Sequence, residues 1–208
     1  GILSFNGEIY NYLELKDLCL SKGEKFKTKS DTEVLLKLLN IFGENALKMA
    51  DGDWAFSYYN KKNKTIIISR DRFSVKPLFF YIEKNNFYFA SNLKHLFTLV
   101  GRKFEINLTK VKSFLNFGFK AFSSDPETFF KNIYNFPGSS YIVIKDSVIS
   151  KPIKYWSPNI AINKNLNYED SVEMIKLKFS ESIKRRLRSD FPIACLLSGG
   201  VDSSAIAG

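Results

Sequence analysis

Hydrophobic residues recur at helical spacing in two segments near the N-terminus. Between residues 31 and 42 the apolar positions lie three and four apart and share one helix face: Val34, Leu35, Leu38, Leu39 and Phe42. Gly23 and Gly43 follow the two segments, and glycine is the residue that most often ends a helix. The pattern therefore predicts helices over 12–22 and 31–42.

From residue 54 onward the apolar residues form short runs separated by turns rich in Lys and Asn. Such runs are typical of β-strands joined as antiparallel hairpins. The predicted strands are 54–59, 65–69, 78–82 and 87–90, followed by a helix over 108–117 and a hairpin over 141–149 that turns through Lys145-Asp146. This part of the chain is expected to form an antiparallel sheet.

The alternating pattern stops at Tyr155-Trp156-Ser157-Pro158, where Asn and Lys become dense. We place a linker at 157–166, between a first domain over 1–156 and a second domain over 167–208. In the second domain, an apolar stripe predicts a helix over 168–188 and an apolar run predicts a buried strand over 193–197. Helix, strand, glycine turn and helix start is the order of a parallel doubly wound sheet.

Composition narrows the class of protein. The 208 residues are 45% hydrophobic and 15% aromatic, which is enough for one full domain and part of another. The net charge of +10 is spread over turns and helix faces, so we expect a solvated lysine-rich surface and no nucleic-acid partner. The two cysteines have no paired spacing and no apolar run could span a membrane, which favours a cytoplasmic protein with no membrane partner.

A glycine turn near the C-terminus carries the strongest chemical signal, in the run Leu196-Leu197-Ser198-Gly199-Gly200-Val201-Asp202-Ser203-Ser204. It leaves backbone N–H groups and hydroxyls at a helix start, where a polyanion binds, and Asp202 is suited to hold Mg²⁺. The alternative is a plain turn between strand and helix. The motif resembles the Ser-Gly-Gly-x-Asp-Ser loop of the ATP pyrophosphatases. The resemblance implies an ATP site at Leu196, Ser198, Gly199, Gly200, Val201, Asp202 and Ser203, with Mg²⁺ on Asp202.

A second candidate site follows the first predicted strand, at Asn6-Gly7-Glu8. An Asn amide beside a Gly N–H supplies two donors aimed at one point, as an oxyanion requires, although the pair alone is more often a strand-end turn. Ser30 and Glu33 have the spacing of a capping box, which puts Asp31 in the first turn of a helix. Together these segments resemble the glutaminase domain of the class II amidotransferases. The resemblance implies Asn6 and Gly7 as catalytic oxyanion donors and glutamine binding by Asn6, Gly7, Glu8 and Asp31.

Residues 69–81 and 89–94 narrow the resemblance, because they are similar to segments of the glutamine-hydrolysing asparagine synthetases. The implied fold class is α+β then α/β: an antiparallel αββα sandwich of the N-terminal-nucleophile-hydrolase type, followed by the start of a parallel doubly wound ATP-pyrophosphatase domain. The implied enzyme is a carbon–nitrogen ligase that converts ATP, aspartate and glutamine into asparagine, glutamate, AMP and pyrophosphate. The family relation also allows a homodimer.

Two substitutions and one missing residue depart from what the family needs. Ser74 and Asn92 stand where the family has Gly and Glu, and a serine fits at 74 only if the turn does not require positive φ. The N-terminal cysteine nucleophile is missing because residue 1 is Gly, while Cys19 and Cys195 lie in helix and strand patterns that favour packing.

We therefore expect a fragment cut at both ends that does not hydrolyse glutamine by itself. Two alternatives stay open. One is a related amidotransferase or lactam-forming enzyme that acts on another carboxylate. The other is a non-catalytic remnant that binds only nucleotide or glutamine. The sole histidine, His95, is assigned no role.

Overall fold

The computed structural model describes residues 1–118, 126–162 and 165–208. It divides into two compact units, Gly1–Ser157 and Pro158–Gly208, which are described one at a time.

The first unit mixes helices with short strands. In chain order its elements are β1 (Ile2–Ile9), α1 (Tyr12–Ser21), α2 (Asp31–Phe42), a 3₁₀ turn (Gly43–Asn45), α3 (Ala46–Met49), β2 (Gly52–Asn60), β3 (Thr65–Arg70), β4 (Phe79–Glu83), β5 (Asn86–Ala90), α4 (Leu93–Val100), α5 (Leu108–Phe117), β6 (Tyr134–Asn135), β7 (Ser140–Lys145), β8 (Val148–Ile149) and β9 (Ile153–Lys154). The predicted helices 31–42 and 108–117 are confirmed to the residue. Gly43 and Gly118 follow them with φ of 56° and 71°, conformations that a glycine adopts without strain.

The strands form two antiparallel sheets, which confirms the predicted antiparallel arrangement. The first sheet has the order β1-β2-β3-β7-β8, with β9 also paired to β7, and the second has the order β5-β4-β6. The hairpin between β7 and β8 turns one residue later than predicted. Its two central residues are Asp146 and Ser147, both with positive φ, as expected for the tight turns that join twisted strands.

Successive side chains along β2 and β4 pack in different clusters, and this shows the order of the layers. Trp54, Phe56 and Tyr58 of β2 belong to a buried cluster with α1 and α2, whereas Ala55 packs in a second cluster with residues of both sheets. On β4, Phe80 joins that second cluster while Tyr81 packs against Leu96 of α4 in a third. Because successive strand residues face opposite sides, the order is helix, sheet, sheet, helix. Cys19 is buried in the first cluster, which confirms its predicted packing role, and burial raises the pKa of its thiol.

The second unit contains α6 (Tyr168–Arg186) and α7 (Val201–Ala207). The Asn167 side chain accepts a 2.7 Å hydrogen bond from the Asp170 N–H and so caps α6. The predicted stripe on this helix is largely exposed, with Ile175 67% accessible.

The predicted buried strand over 193–197 is wrong for this structure. These residues lie outside any strand, Leu196 is 94% exposed, and Cys195 is exposed rather than packed. A strand is stabilised by hydrogen bonds to a neighbouring strand. The described residues of the second unit form no strand that could supply these bonds.

Candidate functional site

One hydrogen bond joins the two segments that carry the candidate glutamine residues. The Ile9 N–H donates to Asp31 Oδ2 at 2.9 Å. Ile9 is the last residue of β1 and follows Glu8 directly, while Asp31 is the first residue of α2. The bond therefore brings Asp31 beside the Asn6–Glu8 segment, although 22 positions separate the bonded residues.

The start of α2 orients the Asp31 carboxylate. The Ser30 side chain accepts from the Thr32 N–H at 3.1 Å and is the N-cap. The hydroxyls of Thr32 and Ser30 donate to Asp31 Oδ1 at 3.2 and 3.4 Å. The reciprocal half of the predicted capping box is wrong. Glu33 does not bond the Ser30 N–H; its carboxylate accepts instead from Lys27 and Thr28.

Asn6 and Glu8 lie on the exposed face of β1, while Phe5 and Ile9 lie on the face that packs inward. Asn6 lines a cavity of about 330 Å³. The lining also includes Ala90 of β5, Ser91 just after that strand and His95 of α4. This cavity lies beside a candidate oxyanion donor. No signal in the sequence points to His95, because it comes near Asn6 only through the packing of the layers.

Gly7 is required by close strand packing rather than by its φ. A Cβ built on Gly7 would lie 2.1 Å from the Asp53 carbonyl oxygen on β2, a contact that side chains do not make. The strand register places Gly7 opposite Trp54 and Glu8 opposite Asp53. Glycine therefore lets the two backbones approach at the residue that carries the candidate N–H donor.

Tyr10 and Asn11, close to the Asn6-Gly7-Glu8 motif, were not predicted to have a role. The Asn11 side chain donates to the Met49 carbonyl at 3.0 Å and accepts from the Asp51 N–H at 2.9 Å. The Tyr10 hydroxyl donates to Asp53 Oδ2 at 2.7 Å. These bonds tie the end of β1 to the start of β2. The only signal in the sequence is that Tyr10 and Asn11 come directly after Ile9, close to the Asn6-Gly7-Glu8 motif.

The segment 71–76, which follows β3, is a loop built around a buried carboxylate. Asp71 is fully buried and accepts from the backbone N–H groups of Phe73, Val75 and Lys76 at 2.9–3.0 Å. The Arg70 guanidinium donates to three carbonyl oxygens, those of Lys76, Phe136 and Ser74.

Arg70 is also held from the other side, because the Tyr155 hydroxyl donates to its carbonyl oxygen at 3.1 Å. Burial raises the pKa of Tyr155 and lowers the pKa of Arg70, as expected when charged forms lose water.

The substitutions at positions 74 and 92 both have structural consequences. Ser74 has φ of 59°, so the turn does require the left-handed conformation and the serine is held there at a cost. Asn92 is the N-cap of α4, and its side chain accepts from the Lys94 N–H at 2.8 Å. An asparagine is among the best residues for that task, so α4 keeps its cap without a carboxylate.

The candidate phosphate loop has a glycine turn followed by a short helix. Gly199 has φ of 78° and Gly200 precedes α7, which places Val201, Asp202 and Ser203 in the first helical turn. The Ser198 and Ser203 hydroxyl oxygens lie 3.0 Å apart, and Ser203 also donates to the Gly200 carbonyl. The loop is exposed almost throughout.

A metal at this loop would have one carboxylate, that of Asp202. Across the ranges that the structure describes, no three His, Cys, Asp or Glu side chains gather to hold an ion. Mg²⁺ is commonly bound by one or two carboxylates together with substrate phosphates and water, so a single aspartate fits only if phosphate supplies further ligands.

Within those same described ranges no helix is long and apolar enough to cross a membrane.

The chain is similar to known proteins along both of its parts. Residues 1–156 match the glutamine amidotransferase domain family, and residues 174–208 match the asparagine synthase family. A putative glutamine-hydrolysing asparagine synthetase of Methanocaldococcus jannaschii is 36% identical over 218 residues, which cover 100% of this chain and 39% of that protein. A glutamine-hydrolysing asparagine synthetase of Bacillus subtilis is 34% identical over 97% of this chain and 31% of that protein. The chain thus spans less than half the length of these relatives.

A solved structure of the glutamine phosphoribosylpyrophosphate amidotransferase of B. subtilis matches with a TM-score of 0.51 and 23% identity. The match covers 76% of this chain and 29% of that one. At this identity the likeness concerns the fold alone, and it confirms the predicted antiparallel sandwich of the N-terminal-nucleophile type. With the family match over 1–156, it follows that the chain belongs to the glutamine amidotransferases.

Proposed function

We propose that the gene product containing residues 1–208 is a glutamine-dependent asparagine synthetase. It would use ATP, aspartate and glutamine and release asparagine, glutamate, AMP and pyrophosphate. Support comes from the two family matches, which follow one another along the chain in the order glutaminase then synthetase, and from the names of the similar proteins.

The observation that carries the proposal is the bond between the Ile9 N–H and Asp31. It holds a carboxylate beside the Asn6–Glu8 segment, as a site for an amino acid requires. We assign Asn6 and Gly7 as oxyanion donors during amide hydrolysis, since preorganised N–H groups stabilise developing negative charge. Glu8 and Asp31 would bind the cationic α-amino group of glutamine through charge-assisted hydrogen bonds.

We assign the ATP site to the loop formed by Leu196, Ser198, Gly199, Gly200, Val201, Asp202 and Ser203. The positive φ of Gly199 and the hydroxyls of Ser198 and Ser203 support a phosphate-binding loop. Asp202 would hold Mg²⁺ together with phosphate oxygens, and the ion would stabilise charge on the phosphates when bound. The doubly wound ATP-pyrophosphatase domain is proposed to begin at residue 167, after a linker over 157–166.

The proposal also covers the cellular location and the partners of the gene product. A cytoplasmic location is supported by the two cysteines, which are both free thiols. The proposed partners are the small-molecule substrates and a second copy of the gene product in a homodimer.

A single assay tests the function. The purified gene product is incubated with ATP, Mg²⁺ and aspartate, with glutamine or ammonium as nitrogen donor, and asparagine, glutamate and pyrophosphate are measured. We expect equal amounts of asparagine and pyrophosphate with either donor. Pyrophosphate release only with a carboxylate other than aspartate would overturn the choice of acceptor, and no release with any carboxylate would overturn the ATP role.

A further inference from the structure

Glu33 is the anchor of the loop that leads into α2. Its carboxylate accepts from the Lys27 N–H at 3.0 and 3.1 Å, from the Thr28 N–H at 2.7 Å and from the Thr28 hydroxyl at 2.7 Å. Residues 24–30 form no helix or strand, and the bonds to Glu33 satisfy the backbone N–H groups of Lys27 and Thr28 within that segment. Accepting several hydrogen bonds favours the ionised form, and accordingly the pKa of Glu33 lies below its ordinary value.

The anchored loop continues directly to Asp31. Thr28 Oγ1, held by Glu33, accepts from the Ser30 N–H at 3.3 Å. The Ser30 hydroxyl in turn donates to Asp31 Oδ1 at 3.4 Å while it accepts from the Thr32 N–H. Asp31 Oδ2 then accepts from the Ile9 N–H. One connected series of bonds therefore runs from Glu33 to the candidate glutamine site.

We propose that Glu33 is a positioning residue for glutamine: it sets the orientation of the Asp31 carboxylate that binds the substrate α-amino group, without touching the substrate. The inference rests on the proposed role of Asp31. A free carboxylate at a helix start can rotate toward the helix N–H groups that attract it. The series from Glu33 restrains that rotation by fixing Ser30, whose hydroxyl bonds one carboxylate oxygen, while Ile9 holds the other.

The test uses three variants of the gene product containing residues 1–208. Glu33→Gln keeps the size of the side chain but removes its charge and half of its acceptors. Asp31→Asn tests the proposed amino-group ligand itself. The matched control is Glu24→Gln. Glu24 pairs at 2.7 Å with Lys37 of α2, the helix that also contains Glu33, and makes none of the bonds in the series.

The kinetic readout is the KM and kcat of glutamine hydrolysis, together with the preference for glutamine over glutaramate, which is glutamine without the α-amino group. For Glu33→Gln we expect KM to rise about threefold to tenfold, because a charged hydrogen bond is weakened rather than removed. The kcat should stay within about twofold, since bonds to the α-amino group act equally before and during the reaction. The preference for glutamine should fall with KM, and Glu24→Gln should leave all three values unchanged.

A structural readout accompanies the kinetics. Hydrogen exchange measured by mass spectrometry should speed up in peptides covering 27–33 and Ile9 in Glu33→Gln, but not in Glu24→Gln. If Asp31→Asn raises KM while Glu33→Gln changes neither KM nor the preference, the positioning role is wrong and the proposed glutamine site stands. If Asp31→Asn leaves KM unchanged, the proposed role of Asp31 fails and the inference fails with it. A fall in kcat and thermal stability of Glu33→Gln at constant KM would mean a purely structural role.

Discussion

Ile9 and Asp31 are joined by a 2.9 Å hydrogen bond between the last backbone N–H of β1 and the first side chain of α2. Ile9 is only 2% exposed, so the donor belongs to the packed interior of the unit. The carboxylate is thus held from the sheet as well as from its own helix. A site built this way depends on both elements, and its proposed chemistry can be tested one residue at a time.

Replacing Asn6 by Ala should remove one proposed oxyanion donor. We expect glutamine-dependent kcat of the gene product to fall on the order of a hundredfold or more, because an oxyanion donor acts mainly in the transition state. Ammonia-dependent synthesis should be unchanged. Ser4→Ala is the matched control, since Ser4 lies on the same face of β1 and lines the same cavity. Equal loss with glutamine and ammonia would contradict the assignment.

Replacing Asp202 by Ala should affect the ATP-dependent reaction rather than glutamine hydrolysis. We expect pyrophosphate release to be abolished while glutamine hydrolysis remains, because the proposed Mg²⁺ ligand serves only the nucleotide. Both are measured on the same preparation. Asp190→Ala, which removes another exposed carboxylate of the second unit, should alter neither reaction. Loss of both activities, or of neither, would count against the phosphate-loop assignment.

Replacing Ser74 by Gly should stabilise the first unit. Ser74 has φ of 59°, a conformation that a Cβ disfavours, so glycine should raise the free energy of unfolding by about 0.5–1 kcal/mol. Urea unfolding of the chain followed by tryptophan fluorescence measures the change. Ser74→Ala is the control, since it removes the hydroxyl but keeps the Cβ and should give no gain. A stability increase in the alanine variant would show that the hydroxyl, rather than the backbone, carries the cost.

The contribution of Glu33 to stability should depend on pH. Its pKa in the folded chain is lowered from 4.5 by hydrogen bonds from Lys27 and Thr28. A lowered folded pKa means that the stabilisation is fully present above about pH 4.5 and is lost as the pH falls through the folded value. Urea unfolding of wild type and Glu33→Gln should therefore differ at pH 6, and the difference should shrink as the pH falls below about 4.5. A constant difference over this range would exclude ionisation of Glu33 as the cause.

Sequence patterns predicted the local elements of the first unit well, because their causes are local. The apolar face of α2, the cap at Ser30 and the stop at Gly43 lie within a few residues of one another. The predicted strands 54–59 and 65–69 correspond to β2 and β3 with bounds shifted by no more than two residues. The motif residues Asn6, Gly7, Glu8 and Asp31 were also named from the sequence, through a family resemblance.

Where prediction failed, the hydrogen-bonding partner that a residue meets in the fold, or does not meet, decided the outcome. The run 193–197 has the composition of a buried strand, yet the described second unit offers it no neighbouring strand and it stays exposed. Glu33 has the spacing of a capping box, but the Lys27 and Thr28 N–H groups attract its carboxylate more effectively than the Ser30 N–H. Ser74 lies in a left-handed turn that serine itself disfavours. The loop is held there because Arg70 donates to the Ser74 carbonyl oxygen and the Asp71 carboxylate accepts from the Val75 N–H.

The amino-acid sequence by itself determined where helices begin and end and which side chains carry candidate chemistry, since propensity and capping act over a few residues. Only the tertiary structure decided which of those side chains meet. The contact between Ile9 and Asp31, the crowding of Gly7 against Asp53 and the cavity shared by Asn6 and His95 all join residues distant in sequence. Such contacts depend on how the layers pack, and packing is a property of the whole folded unit.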